Sequence, residues 1–268
     1  MTHAELREMF PHYTWTSVTA GQSGASVYRL TPERSDDPRL YVKTAPKLST
    51  NPAFDLDAEA DRLDWLAASG IPVSRLHARG SNDTTTWFAT EAVSGISAAE
   101  IWPEHQRGAV TDAIAELAHN LHQLPAQECA FDRRLAITVA QAEKAVDDNL
   151  VHLHDLEDEY LGWSGQELLA ELHRTRPVIE DVVVCHGDLT PENILLDPTT
   201  CRVTGVIDVG RLGRADRHLD LALTMRELAI EDDPWFGPRY VKRFTNRYGS
   251  DLIDPDRIAF YTLLDEFF

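Results

Sequence analysis

Two short apolar runs, with a polar loop before them and an acidic turn after them, constrain this chain more than any other feature. Val182-Val183-Val184 leads into His186-Gly187-Asp188-Leu189-Thr190-Pro191-Glu192-Asn193, and Ile194-Leu195-Leu196 and Val203 to Ile207 then flank the turn Asp197-Pro198-Thr199-Thr200 before Asp208-Val209-Gly210. Runs of this kind around an Asp-Pro turn predict a hairpin. An Asp, an Asn five positions later, and a further Asp-x-Gly form the order that phosphoryl transfer requires. One carboxylate orients an acceptor hydroxyl, while an amide and a second carboxylate offer oxygen to Mg²⁺ on a triphosphate. Either motif alone would be ordinary turn chemistry. In this order, and with these flanks, they imply an ATP-dependent phosphotransferase in which Asp188 is catalytic and Asn193 and Asp208 bind metal.

The length of 268 residues exceeds what one core comfortably fills, since single cores stop growing near about 250–300 residues. An α+β protein of two lobes is expected, divided into residues 1–94 and 95–268. The 44 acidic against 25 basic residues, a formal charge of −19, argue against a nucleic-acid partner and fit a cationic one. No apolar stretch approaches a membrane span, and the N-terminus lacks a basic segment followed by an apolar one, so neither export nor membrane insertion is indicated. Cys129, Cys185 and Cys201 are odd in number and lack metal-ligand spacing, which implies reduced thiols in a cytoplasmic protein.

Strand signals dominate the first part. Val27 to Leu30 and Leu40 to Thr44 read as a hairpin with Lys43 ending its second strand. Asp57 to Ser69 has helical periodicity and Gly70 just beyond it. At about 100° per residue, Glu59 falls on the face of Leu63 and Leu66, so it is the acid expected to pair with Lys43 at the nucleotide phosphates. Trp87 to Val93 reads as a strand closed by Ser94-Gly95, a candidate hinge. Beyond residue 97 the pattern is mostly helical, with Val110 to Leu124 stopped by Pro125 and a shorter helix around Leu168, Leu169 and Leu172. Gly21 to Ser26 is the candidate phosphate-covering loop, with Ser23 and Gly24 at the nucleotide. Other chemistries find no support: there is no Gly-x-Ser-x-Gly, and His119 with His122, or His152 with His154, lack companions in sequence for a zinc site.

Taken together, Tyr41-Val42-Lys43, Thr90 to Gly95, Cys185 to Asp188, Val206 to Arg217 and the ending Phe260 to Phe268 resemble the bacterial aminoglycoside 3′-phosphotransferases, the kanamycin and neomycin kinases. The resemblance covers essentially the whole chain. It implies a protein-kinase-like bilobal fold, with a small N-lobe of antiparallel sheet and one helix and a larger, mostly helical C-lobe. It also implies ATP and Mg²⁺ as cosubstrates and phosphorylation of the 3′-hydroxyl of a deoxystreptamine antibiotic. By position, Lys43, Glu59, Glu91 and Val93 would serve the nucleotide, and Arg211 would stand with Asp188 at the reacting centre. The antibiotic would meet Asp155, Asp158, Glu159, Arg226, Glu231, Asp265, Glu266 and the Phe268 carboxylate. Asp155, Asp158 and Glu159 stand at i, i+3 and i+4, so one helix face would carry all three and Glu157 would point elsewhere. Gly187 replaces the Arg of protein kinases and no Ala-Pro-Glu follows, which argues against protein substrates; no obligate protein partner is inferred. The alternative is a small-metabolite kinase of choline, homoserine or fructosamine type on the same fold.

Overall fold

A computed structural model describes residues 3–18, 25–47, 55–231 and 234–268. The chain divides into two compact units, Met1–Gly95 with Thr204–Gly210, and Ile96–Val203 with Arg211–Phe268.

In the first unit, α1 (His3–Met9) precedes β1 (Tyr13–Val18), β2 (Ser26–Pro32), β3 (Leu40–Pro46), α2 (Leu56–Ala68), β4 (Leu76–Ser81) and β5 (Thr85–Glu91). The strands form one antiparallel sheet in the order β1-β2-β3-β5-β4. Leu30, Leu40, Val42, Trp87 and Ala89 alternate inward along β2, β3 and β5 and meet Leu6 and Phe10 in one apolar cluster. Thr86, Phe88 and Thr90, on the opposite face of β5, are buried as well, so this interior strand is covered on both sides. Lys43 does not end its strand as expected, because Thr44, Ala45 and Pro46 continue the ladder opposite Trp87, Thr86 and Thr85. The α2 helix is capped by Asp55, whose carboxylate accepts from the Ala58 N–H at 3.0 Å, and it buries Leu56, Glu59, Ala60, Leu63 and Leu66. Gly70, at φ +80°, lets the chain leave the helix. The segment Thr204–Gly210 joins this unit although it lies far along the chain: Val206 bridges Val73 and donates its N–H to the Pro72 carbonyl at 2.9 Å.

The second unit holds β6 (Ile96–Ser97), α3 (Glu104–His122), α4 (Leu135–Asp147), α5 (Gly165–Thr175), β7 (Val182–Cys185), β8 (Ile194–Leu196), the start of β9 (Val203–Val206), β10 (Gly213–Asp216), α6 (His218–Ala229), α7 (Pro238–Tyr248) and α8 (Pro255–Asp265). Its core gathers Leu135, Val139, Leu168, Leu172, Val183, Leu219, Phe260, Tyr261, Leu264 and Phe267 from five elements and the chain end. Antiparallel pairing of β7 with β10, Cys185 opposite Gly213 and Val182 opposite Asp216, fixes where the loop after β7 begins. No helix among the described residues is long and apolar enough to cross a membrane.

Candidate active site

The first unit presents a buried ammonium between two carboxylates. Lys43, midway along β3, and Glu59, on the inward face of α2, meet with Nζ 2.8 and 3.1 Å from the two carboxylate oxygens. Asp208 Oδ1 lies 3.1 Å from the same nitrogen. Burial alone would push the Lys43 ammonium down, but the charges and hydrogen bonds of Glu59 and Asp208 outweigh it and hold the pKa above the ordinary lysine value. Asp208 occupies the left-handed region at φ +57°, which Asp tolerates better than most residues. Its carboxylate is close to half exposed. Val93, just past β5, has no hydrogen-bond partner for its N–H or C=O among the described residues, while Glu91 faces Arg75 and His77. A methyl on Gly205 would come within 2.7 Å of Val93 Cγ1, so only glycine permits that approach.

In the second unit, the loop from His186 to Asn193 hangs on a carboxylate that no motif announced. Asp220, wholly buried in the first turn of α6, accepts the His186 N–H at 2.7 Å and the Gly187 N–H at 2.8 Å. His122 Nε2 stands 3.3 Å from the same side chain, and its Nδ1 is 2.7 Å from the Tyr248 hydroxyl. Thr224, one turn further along α6, donates to the Leu189 carbonyl at 2.6 Å. Gly187 sits at φ +83°, and a Cβ there would lie 2.2 Å from the Arg211 carbonyl oxygen. Residue 187 therefore has to be glycine for steric reasons. Beyond it, Asn193 Nδ2 donates to the Asp188 carbonyl at 2.9 Å and to the Asp188 carboxylate at 3.1 Å. Among the described residues Asp188 is thus oriented by an amide and not by an ion pair, and the Asn193 amide oxygen is left for a hard cation.

The end of the chain adds a cluster of charge. Asp265 lies between Arg211 (3.5 Å) and Arg226 (2.9 Å). Arg226 also approaches Glu227 at 3.2 Å and Glu157 at 3.5 Å. Glu266 accepts the Glu157 N–H at 3.4 Å. Burial, with the neighbouring Glu157 and Asp265 carboxylates adding to it, pushes the Glu266 carboxyl up to about 7 against the pull of that N–H and of Arg226. The Arg211 guanidinium sits 5.8 Å from the centre of the Phe268 ring.

Several expectations need correction or placement. Asp155, Asp158 and Glu159 do not share a helix face: only a 3₁₀ turn, Asp158–Tyr160, forms there, and all three are exposed. Leu156 and Tyr160 pin the segment to the core while Gly162, at φ +88°, ends the turn, leaving no length for an α-helix. Glu157, expected to point away, is the acid of this segment that reaches Arg226. Glu231 is exposed just past α6, and Ser23 and Gly24 lie outside the described residues. His122 does have companions: Cys185 Sγ and an Asp220 oxygen lie with its ring nitrogen inside 4.8 Å. Both Asp220 oxygens already serve backbone N–H groups, and burial pushes the Cys185 thiol well up, so the cluster is a hydrogen-bond anchor. No motif marks Asp220, Thr224 and His122, because Asp220 and Thr224 meet main-chain atoms, and His122 meets the Tyr248 and Asp220 side chains, far away in sequence. The one available signal was an Asp and a Thr inside an otherwise apolar helical run, where unpaired polar groups are costly.

Comparison with known proteins gives a consistent answer. Residues 14–261 match the phosphotransferase enzyme family. The chain is 59% identical over 268 residues to the aminoglycoside 3′-phosphotransferase of Streptomyces fradiae, with both chains covered in full. The crystal structure of an aminoglycoside-3′-phosphotransferase of type VIII superposes with a TM-score of 0.90 at 51% identity, covering 99% of this chain and 97% of that one. An aminoglycoside phosphotransferase from Streptomyces rimosus, solved with ADP and streptomycin, aligns with a TM-score of 0.82 at 33% identity over 98% and 95% of the two chains.

Proposed function

This chain belongs to the phosphotransferase enzyme family, among its aminoglycoside 3′-phosphotransferases, and on that premise we propose that it transfers the γ-phosphate of ATP to the 3′-hydroxyl of deoxystreptamine aminoglycosides of the kanamycin, neomycin and ribostamycin type. The product no longer acts as an antibiotic, so the activity confers resistance. One observation carries the reading: the Asp188 carboxylate is aimed by Asn193 on a loop whose backbone is tied to Asp220. A choline, homoserine or fructosamine kinase is not favoured by relatives that share the full length of this chain.

Asp188 accepts a hydrogen bond from the acceptor hydroxyl and orients it. Because the transition state is largely dissociative, orientation matters more than early proton removal. Lys43, kept charged by Glu59 and Asp208, compensates the negative charge of the nucleotide phosphates. The free N–H and C=O of Val93 are suited to a nucleobase edge. Asn193 and Asp208 would hold Mg²⁺ through oxygen, the donor this ion prefers, and the bound metal would neutralise phosphate charge. The antibiotic's ammonium groups would find the Glu266 and Phe268 carboxylates, with Asp155, Asp158, Glu159 and Glu231 supplying a wider negative field. A cytoplasmic location, where ATP is available, completes the reading.

The test is ADP release with kanamycin and with a 3′-deoxy analogue. Turnover is expected on the first alone. Equal turnover on both would remove the 3′ assignment.

A further inference from the structure

The Asp220 carboxylate that carries the loop before Asp188 is itself held by a line of side chains reaching back through three helices. Tyr248 ends α7, His122 ends α3, and Asp220 stands in the first turn of α6. Arg217, just before α6, brings Nη1 to 3.1 Å from the Tyr248 hydroxyl. The same hydroxyl is 2.7 Å from His122 Nδ1, and His122 Nε2 is 3.3 Å from Asp220 Oδ2. Tyr248 is 3% exposed, and the His122 and Asp220 side chains 1% and 0%, so each polar atom depends on its neighbour in the line.

The chemistry of the two ends fixes the direction of every hydrogen bond between them. A guanidinium can only donate and a carboxylate can only accept. Tyr248 therefore accepts from Arg217, and burial, working against the pull of Arg217, pushes its hydroxyl up to about 12, so it keeps a proton to give. Among the described residues the acceptor for that proton is His122 Nδ1. A ring nitrogen that accepts carries no hydrogen, which leaves the imidazole proton on Nε2, facing Asp220. A hydrogen on Nδ1 would strand that of Tyr248 in the interior, and an Nε2 lone pair would face a buried carboxylate. Cys185 Sγ, 4.0 Å from Nε2, is a weaker acceptor than the carboxylate, and its own hydrogen has the Asp216 carbonyl at 3.3 Å.

Resting on the proposed activity, we propose that His122 is a positioning residue for phosphoryl transfer: with its ring proton on Nε2 it fixes the Asp220 carboxylate, and so the main chain that delivers Asp188. Among the described residues it is the one side chain that hydrogen-bonds to the Asp220 carboxylate, whose Oδ1 and Oδ2 take the Gly187 and His186 N–H groups at 2.8 and 2.7 Å. Without it the carboxylate can turn about its Cβ–Cγ bond, and the loop turns with it.

Two amides tell the ring nitrogens apart. His122→Gln extends an NH₂ group to the place of Nε2, whereas the shorter His122→Asn reaches only the place of Nδ1, beside Tyr248. At saturating ATP·Mg²⁺ and kanamycin, kcat is expected to fall at least about tenfold in His122→Asn and to stay within about threefold in His122→Gln. KM for ATP, and the Kd of kanamycin by calorimetry, should move less than about threefold in both. Equal losses of kcat in the two variants would assign His122 to packing and overturn the inference, as would wild-type kcat in His122→Asn. Heteronuclear NMR of the wild-type imidazole, without substrates, should find the hydrogen on Nε2; a hydrogen on Nδ1 would overturn it too. Should His122→Asn not fold, Tyr248→Phe, which takes the donor away from Nδ1, is read in its place: kcat is expected to fall at least about threefold, and wild-type kcat would refute the role. If the wild type phosphorylates no aminoglycoside, the proposed activity fails separately, and the same variants are read in ATP hydrolysis to water.

Discussion

Replacing Asp220 by Asn tests whether the catalytic loop owes its shape to one buried carboxylate. The wild-type side chain, with no exposed surface, satisfies the His186 and Gly187 N–H groups at 2.7 and 2.8 Å and faces His122. Asn keeps one oxygen, so one of the two main-chain donors loses its acceptor and meets an NH₂ group instead. Loss of a charge-assisted bond and the stranding of a buried N–H together cost about 2–4 kcal/mol, against a total stability of about 5–15 kcal/mol. For a chain of this size that corresponds to a fall in Tm of roughly 5–15 °C. The donors concerned precede Asp188 directly, so a loop displacement approaching 1 Å should lower kcat by about 10- to 100-fold. KM for ATP, whose phosphates are assigned to Lys43, should change less than about threefold. Thermal denaturation and steady-state kinetics on the purified variant supply both readings. Wild-type Tm together with wild-type kcat would refute the anchoring role.

Other outcomes follow from the same geometry. Gly187→Ala meets the Arg211 carbonyl at 2.2 Å as well as its unfavourable φ, whereas Gly70→Ala, at a similar φ, has nothing within 4 Å; the second should cost about 1–2 kcal/mol and the first clearly more, and equal Tm shifts would deny the close approach. The Glu266 carboxyl is raised from 4.5 to about 7, so the folded protein holds an extra proton between those values and should lose stability as pH rises through them. Glu266→Gln should flatten that slope in a Tm series from pH 4 to 8, and an unchanged slope would show that the group titrates normally. Ionisation of Glu266 should also tighten antibiotic binding as pH rises from 6 toward 7.5, an effect that calorimetry should find absent in Glu266→Gln. For Lys43→Met, the Glu59 and Asp208 carboxylates lose their shared cation, so KM for ATP should rise at least about tenfold with little change in kanamycin Kd; an unaltered KM would remove Lys43 from the nucleotide site.

Local chemistry made much of this molecule legible beforehand. Helical periodicity alone turns Glu59 toward the buried side, where it meets Lys43, because only the angle per residue and the apolar neighbours on one face are needed. The same method failed for Asp155, Asp158 and Glu159, since charge spacing carries no information about whether a helix exists, and here burial of Leu156 and Tyr160 decided the path. Lys43 fell within its strand rather than at its end because partners on β5, remote in sequence, extend the ladder.

By itself the sequence determined the chemistry on offer: an Asp-x₄-Asn loop, a metal-type Asp-x-Gly, an inward acid for a strand lysine, and an acidic chain end. Tertiary structure decided which groups are free to use it. It spent Asp220 on main-chain N–H groups, gave Asp265 to two arginines, and drew Glu157 to Arg226. The reason is that hydrogen bonding to backbone and ion pairing across long sequence separations depend on packing of the whole core, whereas residue type and spacing report only what lies within a few turns of chain.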